Sequence, residues 1–246
     1  MTSVSGYYIK GAPCCGAQYR TPRYASINWM SAAFWSDGYR EQSLMPNDHG
    51  LRRCTCGRFI LQRELVEMAE ADESDLPWPP RVPPEDLPLA IAQAESPAVE
   101  LAARRDYWQH LNHAYRDLYK AHREAEDAAT QAAWEATHPD QRTAWQKLRK
   151  FERRPQYQAA PDRPITFPAF EASPAQRENM LALLRLLQAT EEKVDLEQVE
   201  LHRELGQFDE AARALQETQE EKESSLHILT AQLIEGRDAA PVRYRP

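Results

Sequence analysis

The sequence predicts an α+β fold: a small β module at the N-terminus, followed by a mainly α-helical bundle. Three observations predict it. All four cysteines stand in two tight pairs, Cys14-Cys15 and Cys54-Thr55-Cys56, each followed at once by a glycine, Gly16 and Gly57. Between the pairs lie aromatic, β-favouring residues: Tyr24, Ile27, Trp29, Phe34, Trp35 and Tyr39. Beyond residue 97 the apolar residues recur at three- and four-residue steps, the period of a helix facing a core.

The elements follow in order. Residues 1–71 are expected to form the β module. Asp37-Gly38, between Trp35-Ser36 and Tyr39-Arg40, suits a type I′ hairpin tip, because both residues accept positive φ. Phe59-Ile60-Leu61 reads as a closing strand. Residues 72–97 read as an acidic linker that holds Pro77, Pro79, Pro80, Pro83, Pro84, Pro88 and Pro97. Proline removes donors and fixes φ, so no continuous helix crosses this stretch. Trp78 and the 87–89 side chains are expected to dock on a neighbour.

Residues 98–154 read as one long helix to about 136, starting at Ser96-Pro97, and a second from about Pro139 to Arg153. A second proline-rich connection covers 155–173. A helical bundle is expected over 174–236. Ser173-Pro174-Ala175-Gln176 has the form of a capping box, in which each end of the motif bonds the other's backbone. Three further helices are expected around Val194–Leu205, Asp209 to Leu215 or Thr218, and Leu226–Ile234. Gly206 and Gly236 act as stops and Asp209 as an N-cap. Residues 237–246 read as a tail.

With 246 residues the chain is long enough for one large domain or two modest ones. Mean hydropathy is -0.73, and no apolar run approaches the roughly 18 residues that span a bilayer. Residues 1–6 carry neither a basic region nor an apolar run, so a cytoplasmic location is expected. Thiols stay reduced there, which favours metal over disulfide. The net charge of -8 is unevenly spread. Residues 1–64 hold eight Lys/Arg against four Asp/Glu, whereas residues 65–97 hold one against eight. The overall acidity argues against a large nucleic-acid footprint.

Zinc takes four soft ligands in a tetrahedron, and two cysteine pairs on tight turns deliver them. The expected site is Cys14, Cys15, Cys54 and Cys56, holding a structural Zn2+. A small β module of this size gains much of its stability from such a metal. The usual knuckle is Cys-x-x-Cys-Gly. Here Ala12 and Arg53 occupy the positions of the first cysteines, so Cys14 and Cys54 serve from shifted places. Two other readings stand beside this one: His49 replaces Cys14 as a ligand, or the four are buried free thiols. A vicinal Cys14-Cys15 disulfide is disfavoured because it needs a strained peptide.

The runs Cys15-Gly16, Tyr24-Ala25-Ser26-Ile27-Asn28, Phe34-Trp35-Ser36-Asp37-Gly38, Met45-Pro46 and Cys54-Thr55-Cys56-Gly57 cover about residues 12–62. This segment resembles a zinc-ribbon-type segment of uncharacterised bacterial proteins that pair it with a helical C-terminal part. The resemblance implies a zinc-ribbon-like β module and no particular activity. Separately, Gly206-Gln207-Phe208-Asp209-Glu210-Ala211, with Leu215, is similar to the turn of a tetratricopeptide repeat. That implies one repeat-like helical hairpin, with no 34-residue recurrence to make an array.

Other constellations carry less. His110, His113 and His122 fall along the expected long helix without a matching ligand set. Glu135-Ala-Thr-His138 has the Glu-x-x-His form of di-iron bundles, which require two such motifs. The glutamates at 191, 192, 197, 200, 204, 210, 217, 220, 221 and 223 read as solvated helix faces, some laddering with Lys193, Arg203 and Arg213. No His-Glu-x-x-His, phosphate loop, dinucleotide fingerprint or Gly-x-Ser-x-Gly is present. The chain is therefore expected to be a non-enzymatic module with protein partners. The alternative is a nucleic-acid-associated regulator that binds through Arg20, Arg23, Arg40, Arg52, Arg53 and Arg58 with Tyr19, Tyr24 and Trp29.

Overall fold

The computed structural model describes residues 3–27, 33–41, 50–139, 157, 169–190, 194–218 and 224–244. It is a mixed fold of small antiparallel sheets and helices, as the sequence predicts. The chain divides into two compact units: Met1–Asn112 with Ala169–Pro246, and His113–Pro168. No helix among the described residues is long and apolar enough to cross a membrane.

In the first unit, β1 (Ser3–Gly11) pairs with β2 (Gln18–Ser26), and β7 (Val66–Ala71) pairs with the other edge of β1. Four tyrosines with Val4, Ile9 and Thr21 fall in β1 and β2, residue types that suit a half-buried pleat. A two-stranded ribbon joins β5 (Leu51–Arg53) to β6 (Phe59–Leu61). The expected closing strand at Phe59-Ile60-Leu61 is therefore present.

A third sheet has the order β4-β3-β8, from Arg40–Glu41, Ala33–Trp35 and Arg243–Tyr244. β8 comes from the stretch that reads as a tail in the sequence. The β3–β4 hairpin turns at Asp37-Gly38, but not as type I′. Gly38 alone has positive φ, +79°, and Asp37 does not. Gly38 N donates to Trp35 O at 2.9 Å and Trp35 N donates to Tyr39 O at 2.9 Å. This is a three-residue connection closed by a left-handed glycine. Asp37 instead uses its side chain, accepting from Tyr39 N at 3.1 Å.

The proline-rich segment carries a short helix, α1 (Leu87–Ala92), with Pro88 in its first turn. α2 (Pro97–Leu111) starts as the sequence predicts: Ser96 Oγ accepts from Val99 N at 3.3 Å. Leu87, Ala90, Val99 and Ala103 of these helices form one core with Leu51, Phe59 and Leu61. The β5–β6 ribbon and the helices thus bury one another.

α4 (Pro174–Thr190) begins with the predicted capping box: Ser173 N donates to Gln176 Oε1 at 2.9 Å and Gln176 N to Ser173 Oγ at 3.3 Å. Its Met180, Leu183, Leu184 and Leu187 pack with Trp108 of α2 and with Leu201 and Leu205. α5 (Leu196–Glu204) is capped by Asp195 and followed by Gly206 at φ +76°, the predicted stop. α6 (Phe208–Glu217) starts at Gln207, so Asp209 lies inside the first turn and is not the N-cap. There its carboxylate faces the positive end of the helix. α7 (Ser225–Glu235) ends at Gly236 as expected. Val199, Ala211 and Leu215 form the small core of α5 and α6, with Ala231 and Ile234 of α7 against it.

The predicted long helix is two. α2 stops at Leu111, and α3 (His113–Thr137) belongs to the second unit. The apolar period runs through the break, but Asn112 is fully buried and its side chain is spent on other elements. Residues 140–153 of the second expected helix, residues 155–156 and 158–168 of the connection, Trp29, Met45-Pro46 and His49 lie outside the described residues.

Candidate metal centre

Each cysteine pair sits at the tip of an antiparallel hairpin. β1 and β2 close at Gly11 and Gln18, and the tip between them carries Cys14 and Cys15. Ala12 N donates to Ala17 O, and Gly16 N to Ala12 O, both at 2.8 Å. β5 and β6 close at Arg53 and Phe59, and that tip carries Cys54 and Cys56. Cys54 N donates to Arg58 O, and Gly57 N to Cys54 O, both at 2.8 Å. Gly16 and Gly57 have φ of +74° and +92°, with open space where a Cβ would stand. The glycines are required by the backbone twist of the tips and not by crowding.

The two tips bring all four sulfurs within 4.8 Å of one another. Cys14 Sγ lies 3.4 Å from Cys56 Sγ, and Cys15 Sγ lies 3.4 Å from Cys54 Sγ. Sulfurs around a tetrahedral zinc at its usual bond length stand roughly 3.8 Å apart, so the cluster has the right size for one ion. The residues fit a thiophilic metal in number, chemistry and spacing. Among the described residues this is the one group of three or more Cys, His, Asp or Glu that meets the condition. Cys54 is buried, Cys14 half-buried, and Cys15 and Cys56 exposed.

Tyr19 supports the centre from below. It is 1% exposed and packs with Ala12, Cys54, Ile60 and Leu65. Its hydroxyl donates to Cys54 Sγ at 3.5 Å and accepts from Thr55 N at 3.0 Å. A donor aimed at a thiolate offsets its charge, and here it also ties β2 to the second tip.

The thiols titrate as a group. Burial pushes Cys54 up, but hydrogen bonds from Tyr19, the Cys56 amide, Cys15 and Cys14 outweigh it and bring it down to about 6. Burial pushes Cys14 up, and its bonds to Cys54 and Cys56 and the Cys54 charge take it to about 12. The Ala17 amide pulls Cys15 down, but its bond to Cys54, burial and its bond to Cys56 leave it raised. The Cys54 sulfur is the one most readily ionised, and its contacts hold the protons on Cys14 and Cys15. The four sulfurs would hold a divalent cation as thiolates, its charge favouring the ionised form of each.

The predicted arginine patch is engaged by the chain itself. Arg23 pairs with Glu70 and with Asp72, Arg53 with Asp86 at 2.7 Å, and Arg58 with Glu95 at 3.2 Å. Arg20 donates to Ser74 O and lies over the rings of Tyr7 and Trp78. Arg40 lies over Phe34, and Arg52 is buried, donating to Leu51 O. The acidic run that follows the cysteines in sequence therefore folds back on the basic one.

Three of the histidines singled out in the sequence have local partners. His113 lies 3.6 Å from Asp117, His122 lies 3.3 Å from Glu126, and His138 stacks on Trp134.

Glu200 and Glu204 do not face solvent as predicted; they are 1% and 2% exposed. Arg203, fully buried, donates from Nε to Glu200 Oε2 at 2.8 Å and from Nη2 to Ser36 Oγ at 3.3 Å. Burial lowers the Arg203 pKa, but Glu200, Glu204 and Asp238 outweigh it. Burial, Glu200 and Asp37 drive the Glu204 carboxyl well above the usual range, against Arg203 and Trp108. Nothing local separates these glutamates from Glu210, which is exposed and pairs with Arg213 as predicted. The one available signal is the shortness of α5, which leaves little room for a solvated face.

In comparisons with known proteins, no family model, curated protein or solved structure matches the chain.

Proposed function

We propose that this chain is a zinc-binding protein in which Cys14, Cys15, Cys54 and Cys56 form a closed structural site. The observation that carries the reading is the convergence of four sulfurs within 4.8 Å from two hairpin tips. Four protein ligands leave no position for a substrate or an activated water, which favours a structural over a catalytic metal. All-thiolate ligation suits zinc, with iron as the competitor. The two glycine-closed tips support a zinc-ribbon-like module. The α5–α6 pair, turning at Gly206-Gln207, supports a repeat-like helical hairpin of tetratricopeptide type.

The role that follows is a scaffold for protein partners: the metal holds the β module and the helices present the binding surface. The pairing of Arg23, Arg53 and Arg58 with carboxylates of residues 70–95 favours this over nucleic-acid binding. Elemental analysis of protein purified without chelator tests the site. One zinc per chain and no visible absorption are expected, whereas well under one metal per chain overturns it. A salt-dependent shift of DNA or RNA at micromolar protein would move the role to nucleic acid.

A further inference from the structure

We propose that the four thiols are also a reversible redox switch, which closes as two specific disulfides, Cys14–Cys56 and Cys15–Cys54, and releases the metal. The release rests on the zinc reading above; the pairing does not.

Four cysteines allow three pairings. The Cys14–Cys15 link, with Cys54–Cys56, needs a strained vicinal bridge and would tie neither tip to the other. Of the two cross-tip pairings, the sulfurs approach to 3.4 Å in Cys14–Cys56 and in Cys15–Cys54. Both links join residues about forty positions apart, 42 and 39 respectively. Each pair has one sulfur in the open: Cys56 in the first, Cys15 in the second. An oxidant therefore reaches each pair from solvent and finds the resolving sulfur already in contact, the arrangement that redox-sensing thiols require.

The oxidant is a hydroperoxide. A thiolate of each pair attacks its terminal oxygen, giving a sulfenic acid and, with a proton, water or alcohol. The paired thiolate then attacks that sulfur, forms the S–S bond and expels hydroxide, which takes up a proton as water. Each disulfide gives two electrons to one hydroperoxide, so closing the site consumes two. Zinc leaves as Zn2+ with its oxidation state unchanged. The tips stay joined, and the centre changes from four thiolates around a dication to two neutral bridges.

The test uses the full chain as purified. Two equivalents of hydrogen peroxide are added, zinc is followed with a chromogenic chelator, and the disulfides are mapped by fragmenting the linked peptides. Expected are one zinc released per two disulfides, links at 14–56 and 15–54, and recovery of thiols and metal binding with dithiothreitol. Double variants give a second readout. Cys14→Ser/Cys56→Ser, which retains Cys15 and Cys54, should close faster than Cys14→Ser/Cys54→Ser, because its sulfurs stand at 3.4 Å and need the least movement. Equal rates, vicinal links, or sulfinic acids that dithiothreitol does not reverse would overturn the switch. If the protein carries no metal, the zinc reading fails while the mapping and rate comparison still decide the pairing.

Discussion

The indole Nε1 of Trp108 donates to Glu204 Oε2 at 2.7 Å, across 96 positions of sequence. Around that bond, Asn112 Nδ2 donates to Glu204 Oε2 and to Asp37 Oδ2, each at 3.0 Å, and Gln176 Nε2 donates to Asn112 Oδ1 at 3.0 Å. One polar network thus joins the β3–β4 hairpin tip to α2, α4 and α5. A buried network of this kind specifies a unique packing only when every member is bonded.

Glu204 makes stability depend on pH. Its folded pKa is raised, chiefly by burial and then by Glu200 and Asp37. A raised carboxyl contributes stability that is fully present below its unfolded pKa, about 4.3, and is lost as pH rises through the folded value. Glu204→Gln mimics the protonated form. The melting temperature of Glu204→Gln minus that of the parent should therefore rise from pH 5 to pH 8. A gap that stays constant across this range would sink the assignment.

Tyr19→Phe keeps the buried ring and removes the donor to Cys54. Loss of an outer-sphere hydrogen bond typically costs 10–100-fold in metal affinity, so about tenfold weaker zinc binding is expected in chelator competition. The cobalt-substituted protein should show a shifted sulfur-to-cobalt charge-transfer band, which a purely packing role would not move. The stability cost is about 1–2 kcal/mol, since Thr55 N also loses its acceptor.

Cys54→Ser removes the one buried ligand and should abolish stoichiometric metal. Chelation of the parent protein should have the same consequence, read as faster tryptic cleavage at Arg53 and Arg58 beside the second tip. Unchanged cleavage after complete metal removal would show that the tips hold without it.

Leu183→Ala empties a fully buried position among Met180, Leu187 and Leu201. It should cost about 2–5 kcal/mol in denaturant unfolding. The part-exposed Arg53–Asp86 pair should give a coupling of only about 0.2–1 kcal/mol in a double-mutant cycle. A coupling as large as the core loss would mean that the acidic segment is anchored mainly by charge.

Much of the local chemistry was legible. Ser96, Ser173 with Gln176, Gly206 and Gly236 mark helix ends because a cap satisfies backbone groups within a few residues of itself. The four cysteines were legible as one cluster for a similar reason: two short thiol pairs, each followed by glycine, carry their turn chemistry with them. The type of the Asp37-Gly38 turn was not, because Asp37 is drawn into the interior by Asn112 and Gln109.

By itself, the sequence determined the residue types of the site, the helix boundaries written in caps and glycines, and the α+β character. Only the tertiary structure decided which sulfur meets which, that a helix breaks at Asn112, that residues 243–244 complete a sheet, and that Glu200, Arg203 and Glu204 are interior. The physical reason is range. A cap or a turn is settled by neighbours in the chain, whereas burial, sulfur contact and most of the charge pairing depend on groups from 33 to 202 positions away, which pattern alone does not bring together.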